Sequence, residues 1–131
     1  MKDIMNNFDK VKEFMEVFGQ EVKTVPELPK PDVKLLRYYL IHEELQELKE
    51  ALDNNDLVET ADALTDLLYV VYGAGHAFGI DLNACFDEVH RSNMSKLDEN
   101  GKPIFREDGK ILKGKDYSPP DLSEIIGVKH D

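Results

Sequence analysis

Apolar residues recur at steps of three and four through roughly the first 97 positions, and then the rhythm stops. Ile4, Phe8, Val11, Met15 and Phe18 share one face, which predicts a helix over residues 4–18. Asp3 suits its start and Gly19 its end. The segment EVKTVPELPKPD carries Pro26, Pro29 and Pro31, too many prolines for a helix interior, so it reads as a connector. A second helix runs from near Asp32 to about Leu52, and NND at 54–56 makes a turn. Asp56 caps a third helix that reaches about Ala77 and stops before Gly79. Asp81 caps a fourth, LNACFDEVHRSNMSK. Links this short favour antiparallel neighbours. Beyond Lys96, Asn100-Gly101 and Asp108-Gly109 are turn dipeptides, IFR and KIL flank the second as a small hairpin, and a proline-bearing tail follows. The expectation is one all-α domain over residues 1–131. Its core is a four-helix antiparallel bundle at about 4–97, with a C-terminal hairpin and tail from about 98 to 131.

Two helices break the simple pattern. On the second, Ile41, Leu45, Leu48 and Leu52 form one apolar strip, with Leu36, Leu40 and Ala51 beside it. Glu44 and Glu47 fall inside that combined arc, and Glu43 and Glu50 at its edge. The third helix is apolar on most sides, the mark of a central helix, yet Glu59, Asp62 and Asp66 make an acidic stripe along it. A tight turn joins the two helices, so Glu44 and Glu47 are expected at the height of Glu59 and Asp62. Carboxylates facing one another in a low-dielectric site must protonate, shift their pKa upward or bind cations. Pairs three residues apart on opposing helices suit the last of these. All-oxygen ligands select a hard ion, Mg²⁺ or Mn²⁺. The alternative for Glu59 is structural: Asp56-Leu57-Val58-Glu59 has the form of a capping box.

Composition narrows the class. At 131 residues, 41% hydrophobic and 33% charged, the chain is globular rather than disordered. No apolar run approaches the ~20 residues that span a bilayer. MKDIMNNFDK lacks the apolar centre of an export signal, and the lone Cys85 excludes an internal disulfide and fits a reducing cytoplasm. A formal charge of −11 argues against non-specific binding to nucleic acid, because like charges repel, and no nucleic-acid partner is expected.

With Glu43-Glu44-Leu45-Gln46-Glu47 followed by Glu59-Thr60-Ala61-Asp62, the sequence resembles the all-α nucleoside triphosphate pyrophosphohydrolases. This is the MazG-like superfamily, which includes phosphoribosyl-ATP pyrophosphohydrolase and dimeric dUTPase. Its motif is EExxE, a variable gap, then ExxD; the gap here is short, and the likeness covers about residues 32 to 97. The resemblance implies hydrolysis of a nucleotide between the α- and β-phosphates to a monophosphate and pyrophosphate, in nucleotide-pool cleansing or adjustment. It implies Glu44, Glu47, Glu59 and Asp62 as metal ligands and Glu43 as the group that orients or deprotonates water. It also implies an active site completed by a neighbouring subunit.

Further positions enter as substrate contacts. Asn93 and Lys96 continue the Leu82, Phe86 and Val89 face of the fourth helix, where an amide and an ammonium suit a base or a phosphate; Lys96 equally suits the helix C-terminus as a cation. Lys113 and Lys115 are candidates to close over phosphates, and Asp66 to support the metal shell or contact the sugar. Tyr69 and Tyr72 read as core or interface, and His76 and His90 do not align with the acids. The all-round apolar third helix has more surface than one bundle covers, which predicts a homodimer or homotetramer. Two other classes compete. A di-metal redox bundle wants Glu-x-x-His pairs, and Asp87-Glu88-Val89-His90 offers only Asp-x-x-His. An acidic interaction protein would turn its acids outward.

Overall fold

The computed structural model describes residues 4–127. The fold is all-α: α1 (Asn7–Val17), α2 (Pro31–Asp53), α3 (Leu57–Phe78), α4 (Leu82–Met94) and a short α5 (Ser123–Ile126), with no strand among the described residues. The chain divides into two compact units, residues 1–80 and 81–131.

In the first unit α3 packs against both α1 and α2. The turn at Asn54–Asp56 folds α2 and α3 into a helical hairpin, with Asn55 at a φ of 52°, a backbone region that Asn tolerates well. Asp56 caps α3 as expected, its carboxylate accepting from the Glu59 amide at 3.1 Å. The core gathers Phe8, Val11 and Met15 of α1 against the C-terminal half of α3, where Gly73, Ala74, Gly75 and Ala77 let the helices approach closely. Tyr72 meets Phe8 at 5.6 Å and Tyr69 meets Phe14 at 5.6 Å, so both tyrosines pack as the sequence suggested. His76 is buried, stacked on Phe8 at 3.7 Å, with Nε2 2.7 Å from the Phe8 carbonyl oxygen. It is a core histidine.

The first helix is shorter than its apolar rhythm. Ile4 lies outside it and is 97% exposed, and Phe18 sits at its C-cap, exposed. The cap at its start is Asn6, accepting from the Asp9 amide at 2.8 Å; Asp3, the expected cap, lies outside the described residues. Asn6 wins because its side chain is placed to accept the amide three residues on.

The proline connector runs along the end of α3. The Lys23 amide donates to the His76 carbonyl at 2.9 Å and the Glu27 amide to the Phe78 carbonyl at 2.9 Å, so carbonyls at the helix end find partners. Gly79 makes this approach feasible. It holds a φ of 70°, and a Cβ there would lie 2.3 Å from the Val25 carbonyl oxygen. Gly79→Ala is expected to destabilise the unit by at least about 1–2 kcal/mol, from the left-handed backbone alone, as read by urea denaturation; an unchanged midpoint would contradict this close approach.

The second unit hangs its tail on α4. Asp81 caps the helix through the Ala84 amide, as expected. Glu88 pairs with Arg91 through both oxygens, at 2.6 and 2.9 Å, and accepts the Asp121 amide at 2.7 Å. Arg91 also donates to the Pro119 carbonyl, and Ser95 Oγ accepts from the Ser118 amide at 2.9 Å. Arg91 is thus a strap for the tail. The hairpin around Asp108-Gly109 reduces to one antiparallel bridge, Phe105 to Ile111, because an isolated two-stranded ribbon this short gains little. The guanidinium of Arg91 and the Asp121 amide hold the Glu88 carboxyl down at about 2. This contact is therefore kept at all pH values above the ordinary carboxylate range and is lost as pH falls toward about 2. The Asp121 amide resonance is expected to titrate with a midpoint near 2; a midpoint in the ordinary range would mean the strap is not formed.

Candidate active site

The α2–α3 hairpin brings three carboxylates together. Glu44, Glu47 and Asp66 each offer an oxygen, and these oxygens lie within 4.8 Å of one another. Glu44 and Glu47 are neighbours on one face of α2 because residues three apart are. Asp66 comes from α3, opposite them. Glu44 and Asp66 are half-buried and Glu47 is exposed, so the group is open on one side.

Its electrostatics are unfavourable as it stands. Burial pushes the Glu44 carboxyl above its usual value, and the negative charges of Glu47, Asp66 and, more weakly, Glu43 push it the same way. Glu44 Oε2 is enclosed and has no hydrogen-bond partner among the described residues. A buried carboxylate oxygen without a donor costs free energy that a cation would offset. An enclosed orphan oxygen beside two more carboxylates is a donor set that fits a hard divalent ion, Mg²⁺ or Mn²⁺.

Glu59 and Asp62 take a different place. They line a cleft of about 310 Å³ with Glu47, Glu50, Asn54 and Asp56, at the turn end of the hairpin. Glu47 is thus common to the three-carboxylate group and to the cleft. The capping box at Glu59 is only half made. Asp56 accepts the Glu59 amide, but the Asp56 amide donates to the Ala51 carbonyl at 3.0 Å, so the Glu59 carboxylate has no reciprocal bond to make. Asp66, read from sequence as a supporting acid, is the residue of α3 that joins Glu44 and Glu47. The stripe Glu59, Asp62, Asp66 already contained that signal, since Asp66 is its last member; which turn of α3 faces Glu44 depends on how the helices pack. Glu43, one position before Glu44 on α2, is exposed.

The remaining candidates belong to the second unit. Asn93 is exposed near the end of α4, and Lys96 follows it, half-buried, with its carbonyl accepting the Gly114 amide at 2.8 Å. Lys113 places its ammonium 4.7 Å from the centre of the Tyr117 ring, a cation–π contact within its own unit. Lys115 is exposed. One residue had not been singled out at all: Arg37, buried on α2 seven positions before Glu44. The seven-residue spacing, two helical turns, was its signal.

Residues 11–93, well over half of the chain, match the phosphoribosyl-ATP pyrophosphohydrolase family. The chain belongs to that family. Membership places it in the MazG-like all-α superfamily that the EExxE and ExxD segments resemble. The chain is also similar to an uncharacterised protein of Acanthamoeba polyphaga mimivirus, 36% identical over 111 residues. That likeness covers 82% of this chain and 42% of the relative, so the chain spans well under half of the length of the protein it matches. No helix among the described residues is long and apolar enough to cross a membrane.

Proposed function

We propose that the protein is a metal-dependent pyrophosphohydrolase that converts (deoxy)nucleoside triphosphates to monophosphates and pyrophosphate. The observation that carries this is the convergence of Glu44, Glu47 and Asp66 within 4.8 Å, with one enclosed oxygen lacking a donor, in a chain of a pyrophosphohydrolase family. Glu44, Glu47 and Asp66 would hold the cation, and Glu59 and Asp62 extend the acidic lining from Glu47 into the cleft. A divalent ion there supplies neutralisation of the phosphates and a more acidic water. Glu43 accepts the proton of the attacking water on a carboxylate oxygen. Water adds to the α-phosphorus, the bond from that phosphorus to the bridging α–β oxygen breaks, and pyrophosphate leaves. Asn93, Lys96, Lys113 and Lys115 are proposed substrate contacts.

The substrate for which the family is named supports a second reading, phosphoribosyl-ATP, which carries the same phosphoanhydride. A panel of ribo- and deoxynucleoside triphosphates and phosphoribosyl-ATP, with Mg²⁺ or Mn²⁺, tests both. Pyrophosphate release from triphosphates supports the first; release from phosphoribosyl-ATP alone supports the second; no release from any substrate sinks both.

The hairpin leaves a broad apolar surface uncovered. Leu36, Leu45 and Leu52 of α2 and Leu57, Leu64 and Leu68 of α3 are each about half exposed or more. Leu45, Leu48 and Leu52 also line a shallow groove of about 390 Å³. Apolar surface on this scale is characteristic of an interface, and we propose a homodimer or homotetramer. Sedimentation at micromolar concentration is expected to give a multiple of the 15.0 kDa chain mass; a folded monomer would overturn it.

A further inference from the structure

The first unit contains a buried positive charge that the hydrolytic site does not use. Arg37 is 7% exposed. Among the described residues its Nε has no hydrogen-bond partner, and its side chain makes one hydrogen bond, a long one of 3.4 Å from Nη2 to Gln20 Oε1. Among the described residues no carboxylate pairs with it. A guanidinium has five N–H donors, and a buried, uncompensated charge is expensive to keep. Burial lowers its pKa. The position is nevertheless built for it: Gly73 faces the guanidinium, and a Cβ there would lie 2.8 Å from Nη1.

Arg37 lines a cleft of about 330 Å³ between the proline connector and the start of α2, together with Gln20, Glu21, Lys23, Lys30 and Val33. Lys23 is committed to Glu21 at 3.2 Å and Glu27 at 2.7 Å, which also occupies the lining acid. Lys30 has no ion pair among the described residues. It is the N-cap of α2, a 23-residue helix whose first turn has no side-chain cap. Pro31 has no amide hydrogen and the Val33 and Lys34 amides donate to the Lys30 carbonyl at 3.0 and 3.1 Å, so what this helix start offers an anion is chiefly its dipole, against which the first-turn Asp32 acts. A lysine and an enclosed guanidinium, neither with a carboxylate partner among the described residues, meet at one cleft in a protein of formal charge −11.

We infer that this cleft binds a phosphate-type oxoanion through Arg37 and Lys30. The planar fork of an arginine matches two phosphate oxygens. Arg37 and Glu44 are seven residues apart on one helix, about 10 Å along its axis. Two sources share the chemistry: the distal phosphates of a nucleotide, or free phosphate or pyrophosphate. The inference does not depend on hydrolysis.

Calorimetric titration of the full chain with inorganic pyrophosphate and phosphate tests it, in EDTA and at constant ionic strength. Binding is expected, weakened at least tenfold by Arg37→Gln, severalfold by Lys30→Gln, and unmoved by Glu47→Gln. Lys30 is exposed, so its variant folds even where Arg37→Gln does not. Absence of binding by the unaltered chain overturns the site, as does affinity unchanged in every variant that folds. A non-hydrolysable triphosphate that displaces the bound anion supports the site with the nucleotide as source. One that binds alongside it supports the site with a free anion as source. Because the titration needs neither metal nor turnover, its failure and that of the hydrolytic reading are separable.

Discussion

Glu47→Gln is expected to lower metal-dependent pyrophosphate release by about 10²–10³-fold or more, about 3–4 kcal/mol of transition-state stabilisation. Glu47 is the one acid that belongs both to the Glu44/Asp66 group and to the cleft lined by Glu59 and Asp62. Glutamine keeps its shape and removes its charge. The side chain is exposed, so little folding free energy rides on it. Loss of activity with an unchanged melting temperature in EDTA is therefore the expected pair of results. Asp66→Asn is expected to cost as much, since its oxygen completes the same group. Glu59→Gln measures what the cleft contributes on its own. Turnover by the Glu47 variant comparable to that of the unaltered chain would remove the proposed catalyst.

Stability should couple to the cation in a way that singles out Glu44. An ion binding the folded chain at about a hundred times its dissociation constant adds about 2.7 kcal/mol, which for a chain of this size raises the melting temperature by about 10 °C. Without the ion, Glu44 is a liability. Its carboxyl titrates above the ordinary range when folded, because it is enclosed and faces Glu47 and Asp66. The folded state therefore holds more protons than the unfolded chain between the ordinary carboxylate value and the raised one. Its contribution falls as pH rises through that window and is fully unfavourable above it. Glu44→Gln is expected to raise the melting temperature at neutral pH in EDTA and to abolish the gain from Mg²⁺ or Mn²⁺. A variant that melts lower in EDTA, or still gains the full shift from the ion, would show that Glu44 carries neither the repulsion nor the ligand role.

The periodicity and the capping residues settled the local structure of α2, α3 and α4. Asp56 and Asp81 cap α3 and α4 because a short acceptor before an apolar run satisfies the first free amides whatever the rest of the chain does. Gly79 ends α3 for an equally local reason, its positive φ. Membership in the family was legible too, since two acidic segments at near-helical spacing survive as a pattern without any packing.

Tertiary packing decided which acids meet. A wheel gives the direction of a side chain about its own axis, and the axial offset between two helices is set by how their ridges interlock. That offset places Asp66 with Glu44 and Glu47, and leaves Glu59 and Asp62 beside the turn in the cleft that Glu47 shares. The same limit hid Arg37. A charged residue reads as surface by composition, and only the close pass of Gly73 shows that the interior has room for a guanidinium. The sequence by itself determined where α2, α3 and α4 begin and end to within a residue or two, and what chemistry their faces carry. The three-dimensional structure alone decided which of those faces are enclosed, because enclosure depends on neighbours far along the chain.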